Sequence, residues 1–285
     1  MPLEFTRERT FENNGIKLAA KEWGRSGFPP IIALHGWLDN ANTFDRMLPY
    51  MDNVHLIAID KAGHGKSDFR SADSGYDIWQ DISDVIAVAD QMGFDTFALL
   101  GHSRGASICA LVAGCFAQRV NALMFIEGYL PMPIEAKEAP IQIARAIHES
   151  RRFAFASPSF FPSLERAVQA RVDGFIPLKL EAASLLAERG VREQEGSFFW
   201  ANDQRLKAAS MVKFTADQLK GFCYAIACPV KLIKAEDSVL SADHLEPDML
   251  TWIPQMQVIS LPGSHHLHLE EQAEQVALEA QNFFT

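Results

Sequence analysis

From Ile31 to Gly128, short apolar runs alternate with longer stretches in which apolar residues return every three or four positions. The runs Ile31–Leu34, His55–Ile59, Thr96–Leu100 and Ala122–Ile126 have strand length and a large-aliphatic character, the pattern of strands covered on both faces. Tyr76–Met92 and Ser103–Phe116 have helical spacing, and strands alternating with helices predict a parallel sheet flanked by helices. Two further runs, Val230–Ile233 and Met256–Leu261, resume the pattern; helices are expected over Asp243–Met249 and, closing the chain, over Glu270–Phe284. Between about Leu130 and Phe214 the sheet pattern stops. This segment favours helix, is broken by Pro158, Pro162 and Pro177, and carries Phe153, Phe155, Phe160, Phe161, Phe198, Phe199 and Trp200. The expectation is an α/β fold: a mostly parallel, doubly wound sheet built from residues 1–129 and 215–285, with a helical lid, residues 130–214, inserted after the sixth strand. The lid aromatics are expected chiefly to pack among themselves, because such side chains bury the most area.

The chemistry concentrates at Gly101-His102-Ser103-Arg104-Gly105, between the strand Thr96–Leu100 and the helix that follows. A G-x-S-x-G turn there reverses so tightly that side chains two before and two after the serine would collide, and it lifts the serine Oγ above the sheet edge. Ser103 is the expected nucleophile. An acyl-transfer serine needs donors for the oxyanion, and His35-Gly36-Trp37 follows the strand Ile31–Leu34 where a glycine lets backbone approach. The expected donors are the backbone N–H groups of Trp37 and Arg104, with His35 an internal hydrogen-bonding brace. Gly63-His64-Gly65-Lys66-Ser67 fails as a nucleotide site: a Walker A loop needs Gly at Asp60, and a dinucleotide fingerprint needs Gly at Asp68.

The general base is expected on the loop after the last strand, where His265, His266 and His268 compete. A metal site there would have only Glu270 and Glu271 as carboxylate partners, so no metal and no cofactor are expected. The acid stays open between Glu127, after the strand Ala122–Ile126, and Asp237, after Val230–Ile233. Both keep the chain order serine, acid, histidine.

Composition narrows the partners. Of the 285 residues, 36 are Asp or Glu and 26 Lys or Arg, for a formal charge of -10, which repels phosphate backbones and anionic membranes. A small-molecule substrate is expected, and nucleic acid is not. No apolar stretch approaches the roughly 20 residues of a membrane span. Met1–Thr10 lacks the apolar core of a secretory signal. Cys109, Cys115, Cys223 and Cys228 sit in apolar surroundings without metal or redox spacing, so a cytoplasmic location is expected. Oligomeric state is not written in these features.

With the elbow, His35-Gly36 and a late histidine in that order, the chain resembles the α/β-hydrolase superfamily over nearly its whole length. Within it, His35-Gly36-Trp37-Leu38-Asp39-Asn40-Ala41, Phe44-Asp45-Arg46, Asn202-Asp203-Gln204-Arg205-Leu206 and Pro262-Gly263-x-His265-x-x-His268 resemble the serine hydrolase-like protein group. The resemblance implies an α/β-hydrolase fold and puts the base at His265, although Ser264 stands where glycine is usual. It weakens Asp237, since the usual acid lies three residues past a glycine and the position counted from Ala235 is Ser238. Met124–Glu135 is similar to a segment in which some haloalkane dehalogenases carry a catalytic glutamate, and Glu127 falls on it; those enzymes and epoxide hydrolases use an aspartate nucleophile, which Ser103 argues against. The expected activity is carboxylic ester hydrolysis. C–C bond, lactone and thioester hydrolysis use the same oxyanion, and a ligand-binding α/β-hydrolase with little turnover is the alternative of another class.

Overall fold

A computed structural model describes residues 5–237 and 248–285; the helix expected over Asp243–Met249 lies outside these apart from its last two positions. Ahead of the parallel strands lies a hairpin not among the expected elements, β1 (Phe5–Asn13) and β2 (Ile16–Gly24). Asn14 and Gly15 join them, both at positive φ, as a tight hairpin between twisted strands demands. The parallel strands follow: β3 (Pro30–Leu34), β4 (His55–Ile59), β5 (Phe97–His102), β6 (Val120–Ile126), with β10 (Val230–Ala235) and β11 (Met256–Leu261) later in the chain. The eight-stranded order is β1-β2-β4-β3-β5-β6-β10-β11. Because β3 pairs with β4 on one side and β5 on the other, the sheet reverses its winding at β3. A crevice opens above the carboxyl ends of strands at such a reversal, and the loops after β3 and β5 are those carrying the expected oxyanion donors and serine.

α1 (Ile78–Met92) starts on an Asp77–Gln80 capping box and ends at Gly93 in the left-handed region, the start and stop signals of a stable helix. α2 (Arg104–Cys115) leaves the elbow. Between β6 and the helix Ala216–Ala225 the insertion holds α3 (Ala139–Ala154), α4 (Leu164–Val172) and α5 (Leu180–Gly190). It also holds an antiparallel sheet of β7 (Phe160–Phe161), β9 (Ser197–Trp200) and β8 (Val191–Gln194), in that order. The lid helices are present, and the aromatic runs at Phe160 and Phe198 form strands beside them because their side chains pair across the sheet. Helix α6 (Ala216–Ala225) and the closing α7 (Ala273–Phe284) return the chain to the core.

The core lies on both faces of the sheet. Leu99 packs with Val85, Val88, Ile108 and Leu219 under α1, α2 and α6, while its neighbours Ala98 and Leu100 pack with Phe44, Met47 and Val276 on the α7 side, the two-residue alternation of a strand. Leu100→Ala, three residues before Ser103, is expected to cost about 2–5 kcal/mol. Among the described residues no helix is long and apolar enough to cross a membrane.

Candidate active site

The last residue of β5 is His102 and the first of α2 is Arg104, which leaves Ser103 to make the turn alone at φ 52°, ψ -121°. A non-glycine residue there is strained and persists only where its surroundings hold it. The flanking glycines provide the room. A Cβ on Gly101 would stand 2.5 Å from Ala106 Cα, and one on Gly105 would stand 2.0 Å from the Leu34 carbonyl oxygen. Ser103 itself is half-buried and lines a cavity of about 560 Å³.

His265 lines the same cavity, reached from β11 through Pro262 and Gly263. Its Nδ1 lies 3.4 Å from Glu127 Oε2. Glu127 directly follows β6 at φ 43°, is fully buried, and accepts a 2.6 Å hydrogen bond on Oε1 from the Ala235 N–H. One carboxylate oxygen is thus fixed by β10 and the other faces the imidazole. Asp237 sits two residues further along, exposed, its backbone N–H bonded to the Gly263 carbonyl, and it is not part of the cavity wall. The structure therefore brings Ser103, His265 and Glu127 to one cavity and leaves Asp237 outside it.

The three competing histidines separate by direction. His266 turns its Nε2 to Asp39 Oδ2 at 3.2 Å, and His268 turns its Nε2 to Thr43 Oγ1 at 3.0 Å, both buried. His102, the elbow residue before the serine, donates Nε2–H to the His265 carbonyl at 3.0 Å, since a carbonyl can only accept; this contact was not foreseen from the sequence. Asp39 is held well below the usual carboxylate range: burial pushes it up, and His266, Arg171 and His102 more than offset that. Asp39, His102 and His266 each bring one ligand atom within 4.8 Å of the others and are the described residues able to take a metal ion. Asp39 already meets Arg171 at 3.2 Å. Glu270 and Glu271 turn away to Lys179.

Trp37 and Arg104, the expected oxyanion donors, both line the cavity. Among the described residues no protein acceptor is bonded to either backbone N–H. The apolar wall comes from Ile78, Leu130–Met132, Ile176, Leu206, Val212 and Phe214, with exposed Lys207 and Lys213 on the lining. The aromatics from Phe153 to Trp200 stay out of it; Phe160 and Phe199 pack against each other at 5.3 Å. The aromatics thus pack among themselves as expected, and the hydrocarbon wall comes from other residues of the insertion with Ile78 of α1.

The segments singled out by resemblance meet each other. Asn202 donates to the Leu38 carbonyl at 3.1 Å, and the Trp37 indole N–H donates to the Leu206 carbonyl at 2.9 Å. Asp203 accepts from Tyr76 at 2.6 Å and from Arg205, which donates in turn to the Arg70 carbonyl.

The sheet, the elbow and the insertion define a hydrolase scaffold, and the sequence profile of the alpha/beta hydrolase fold matches residues 29–272: the chain belongs to that family. It is related to serine hydrolase-like proteins. A "Serine hydrolase-like protein 2" of Homo sapiens is 29% identical over 272 residues, covering 89% of this chain and 86% of that one. A "Serine hydrolase-like protein" of Danio rerio is 26% identical over 264 residues, covering 89% and 81%. Among solved structures, a hypothetical protein of Pseudomonas aeruginosa superposes with a TM-score of 0.90 at 36% identity, covering 98% of both chains.

Proposed function

We propose that this protein is a carboxylic ester hydrolase that works through an acyl-enzyme on Ser103. The observation that carries the reading is the meeting of Ser103, on its strained turn, with His265 in one cavity while buried Glu127 stands 3.4 Å behind the imidazole. In this reading Ser103 Oγ attacks the ester carbonyl and its proton passes to His265 Nε2. The tetrahedral oxyanion is held by the Trp37 and Arg104 N–H groups. Collapse breaks the C–O bond, and the alcohol leaves with the proton from His265. Water, deprotonated by the same nitrogen, then releases the acid and restores Ser103. Glu127 keeps the Nδ1–H tautomer and balances the imidazolium; it does not take the proton. None of these steps draws on a cofactor.

We read residues 130–214 as the lid over a core of residues 1–129 and 215–285, because Leu130, Met132 and Leu206 supply cavity wall from both ends of that segment. The wall favours a small ester with hydrocarbon character. Four free cysteines agree with a reducing, cytoplasmic setting.

The test is labelling by a fluorophosphonate probe together with turnover of short p-nitrophenyl esters. Wild type is expected to label and turn over, and Ser103→Ala to do neither while remaining folded, a loss of ~10⁴ or more in rate. Full labelling in Ser103→Ala would remove Ser103 from the mechanism. Labelling of wild type without turnover on esters, thioesters or lactones would make the protein a binding module.

A further inference from the structure

The Gly36–Trp37 peptide is gripped from behind by two side chains. Its carbonyl accepts a hydrogen bond from His35 Nδ1 at 2.7 Å and another from the Lys61 ammonium at 3.3 Å. The tautomer of His35 follows from a third bond: the Lys61 backbone N–H donates to His35 Nε2 at 3.1 Å, so Nε2 is bare and Nδ1 carries the proton. His35 is fully enclosed, and burial together with the Lys61 charge holds its pKa well below the imidazole range, which keeps it a neutral, fixed donor. The peptide is trans, so the N–H of Trp37 points opposite to the carbonyl that Lys61 and His35 hold. Trp37 lines the cavity beside Ser103, whereas Lys61 and His35 do not.

We propose that Lys61 is a positioning residue for oxyanion stabilisation: its ammonium, with His35, fixes and polarises the Gly36–Trp37 peptide so that the Trp37 N–H meets the oxygen of a substrate carbonyl at Ser103. The proposal rests on the reading of Ser103 as nucleophile. A donor on a peptide carbonyl draws electron density from the N–H of the same unit and strengthens it as a donor, by ~10–30% per bond. A full positive charge on the carbonyl does so more strongly than a neutral donor, and it costs no reorganisation at the moment the oxyanion forms. Few other roles fit a lysine that is only 4% exposed and has a backbone carbonyl as its hydrogen-bonding partner.

The same burial makes the device sensitive to pH. Lys61 is brought down to about 7, burial being the main cause; Asp81 on α1, Asp39 after β3 and Cys109 on α2 act to raise it, and Arg104 on α2 to lower it. His64, two residues further along its own loop, is held near 3 by burial and by Lys61 and stays neutral. Below about 7 Lys61 is an ammonium on the Gly36 carbonyl; above about 7 it is a neutral amine and the added polarisation is lost. Activity is therefore expected to fall on the alkaline side of about 7.

Lys61→Met keeps the stem in its slot and removes the charge; Lys61→Arg keeps the charge at every working pH. On a p-nitrophenyl ester, Lys61→Met is expected to lose ~10–100-fold in kcat with KM little changed, somewhat less than removal of a whole oxyanion donor, and to lose the alkaline fall. Lys61→Arg is expected to hold its kcat at pH 9 relative to pH 7 where wild type does not, so the proposal stays testable if the Met variant fails to fold. A Lys61→Met enzyme with kcat within twofold of wild type, or a Lys61→Arg enzyme with an unchanged alkaline fall, overturns it. Failure of the underlying reading looks different: Ser103→Ala would then still label and turn over.

Discussion

Replacing Glu127 by Gln changes a charge and almost no volume, and the surroundings dictate what the amide must do. The Ala235 N–H sits 2.6 Å from Oε1 and can only donate, so the Gln carbonyl oxygen must take that position. The amide NH2 is then left facing His265 Nδ1 across the 3.4 Å now spanned by Oε2. Two donors cannot share that contact, so the imidazole is pushed to the tautomer with its proton on Nε2, where it cannot accept one from Ser103. The lost charge adds to this. Two unit charges 3.4 Å apart in an effective dielectric of about 20 attract by about 5 kcal/mol. Some of that survives as screening and neighbouring dipoles adjust. A loss in kcat of at least ~10² is expected from tautomer and charge together, towards the ~10⁴ seen when a triad aspartate becomes an amide. The assay is kcat on a p-nitrophenyl ester, with the fluorophosphonate labelling rate beside it and the thermal midpoint as a folding control. Asp237→Asn, on an exposed turn outside the cavity, is expected to stay within a few-fold of wild type. A hundredfold loss in Asp237→Asn with near-normal Glu127→Gln would refute the assignment of Glu127, and two mild variants would mean a serine–histidine pair working without a carboxylate.

Further outcomes follow from the same contacts. His265→Ala is expected to cost about as much rate as Ser103→Ala, whereas His266→Ala and His268→Ala should keep most of the kcat; His266→Ala should lower the thermal midpoint, since it leaves buried Asp39 short of a donor, a loss of about 1–3 kcal/mol. Met132→Trp, which fills part of the apolar wall, should shift ester preference to shorter acyl chains; an unchanged chain-length profile would remove that wall from specificity. Glu22 gives an acid-stability test. Burial pushes its carboxyl up, and hydrogen bonds from Arg7, Arg9 and His55 more than offset this, bringing it from 4.5 to about 2. A depressed carboxylate stabilises the fold above its ordinary pKa and loses that contribution as pH falls through the folded value, so the melting gap between wild type and Glu22→Gln should be constant above about 5 and close between about 4.5 and 2.

What the sequence disclosed depended on whether the constraint was local. The elbow was legible because its glycines answer to sterics within five residues, and the parallel strands because their apolar runs are covered on both faces. Which carboxylate meets the late histidine was not, because that rests on sheet register. Glu127 is fixed by the backbone of β10, through its own N–H to the Ile233 carbonyl and through the Ala235 N–H to its side chain, and no spacing along the chain reports which strand lies beside which. Which of His265, His266 and His268 faces the cavity was hidden for the same reason: adjacent residues face Glu127 and Asp39 on different sides of one loop. The first hairpin did carry a signal, Asn14-Gly15 between alternating runs, which is among the strongest short-range hairpin marks. The small sheet in the insertion carried almost none, since β7 is two residues long and its partner lies far along the chain.

The bonds between the insertion and the core bear on how a substrate enters. Arg171 on α4 pairs with Asp39, whose other oxygen faces His266, the neighbour of His265. Trp37, an expected oxyanion donor, is tied by its indole to Leu206, and Asn202 to Leu38. Swinging the whole insertion away would break each of these and strip a cation from a carboxylate that is almost wholly buried; removing one partner of a buried ion pair costs about 3–5 kcal/mol. It would also release the loop holding the Trp37 N–H at the moment the site must be in order. These bonds tie the insertion to the core at the two loop positions, Asp39 and Trp37, that stand nearest His266 and the cavity. Met132, Val212 and Lys213, in contrast, are exposed on the cavity wall and none of them takes part in the bonds of Asp39 or Trp37, so on the hydrolase reading a substrate entering past them is expected to leave those bonds intact.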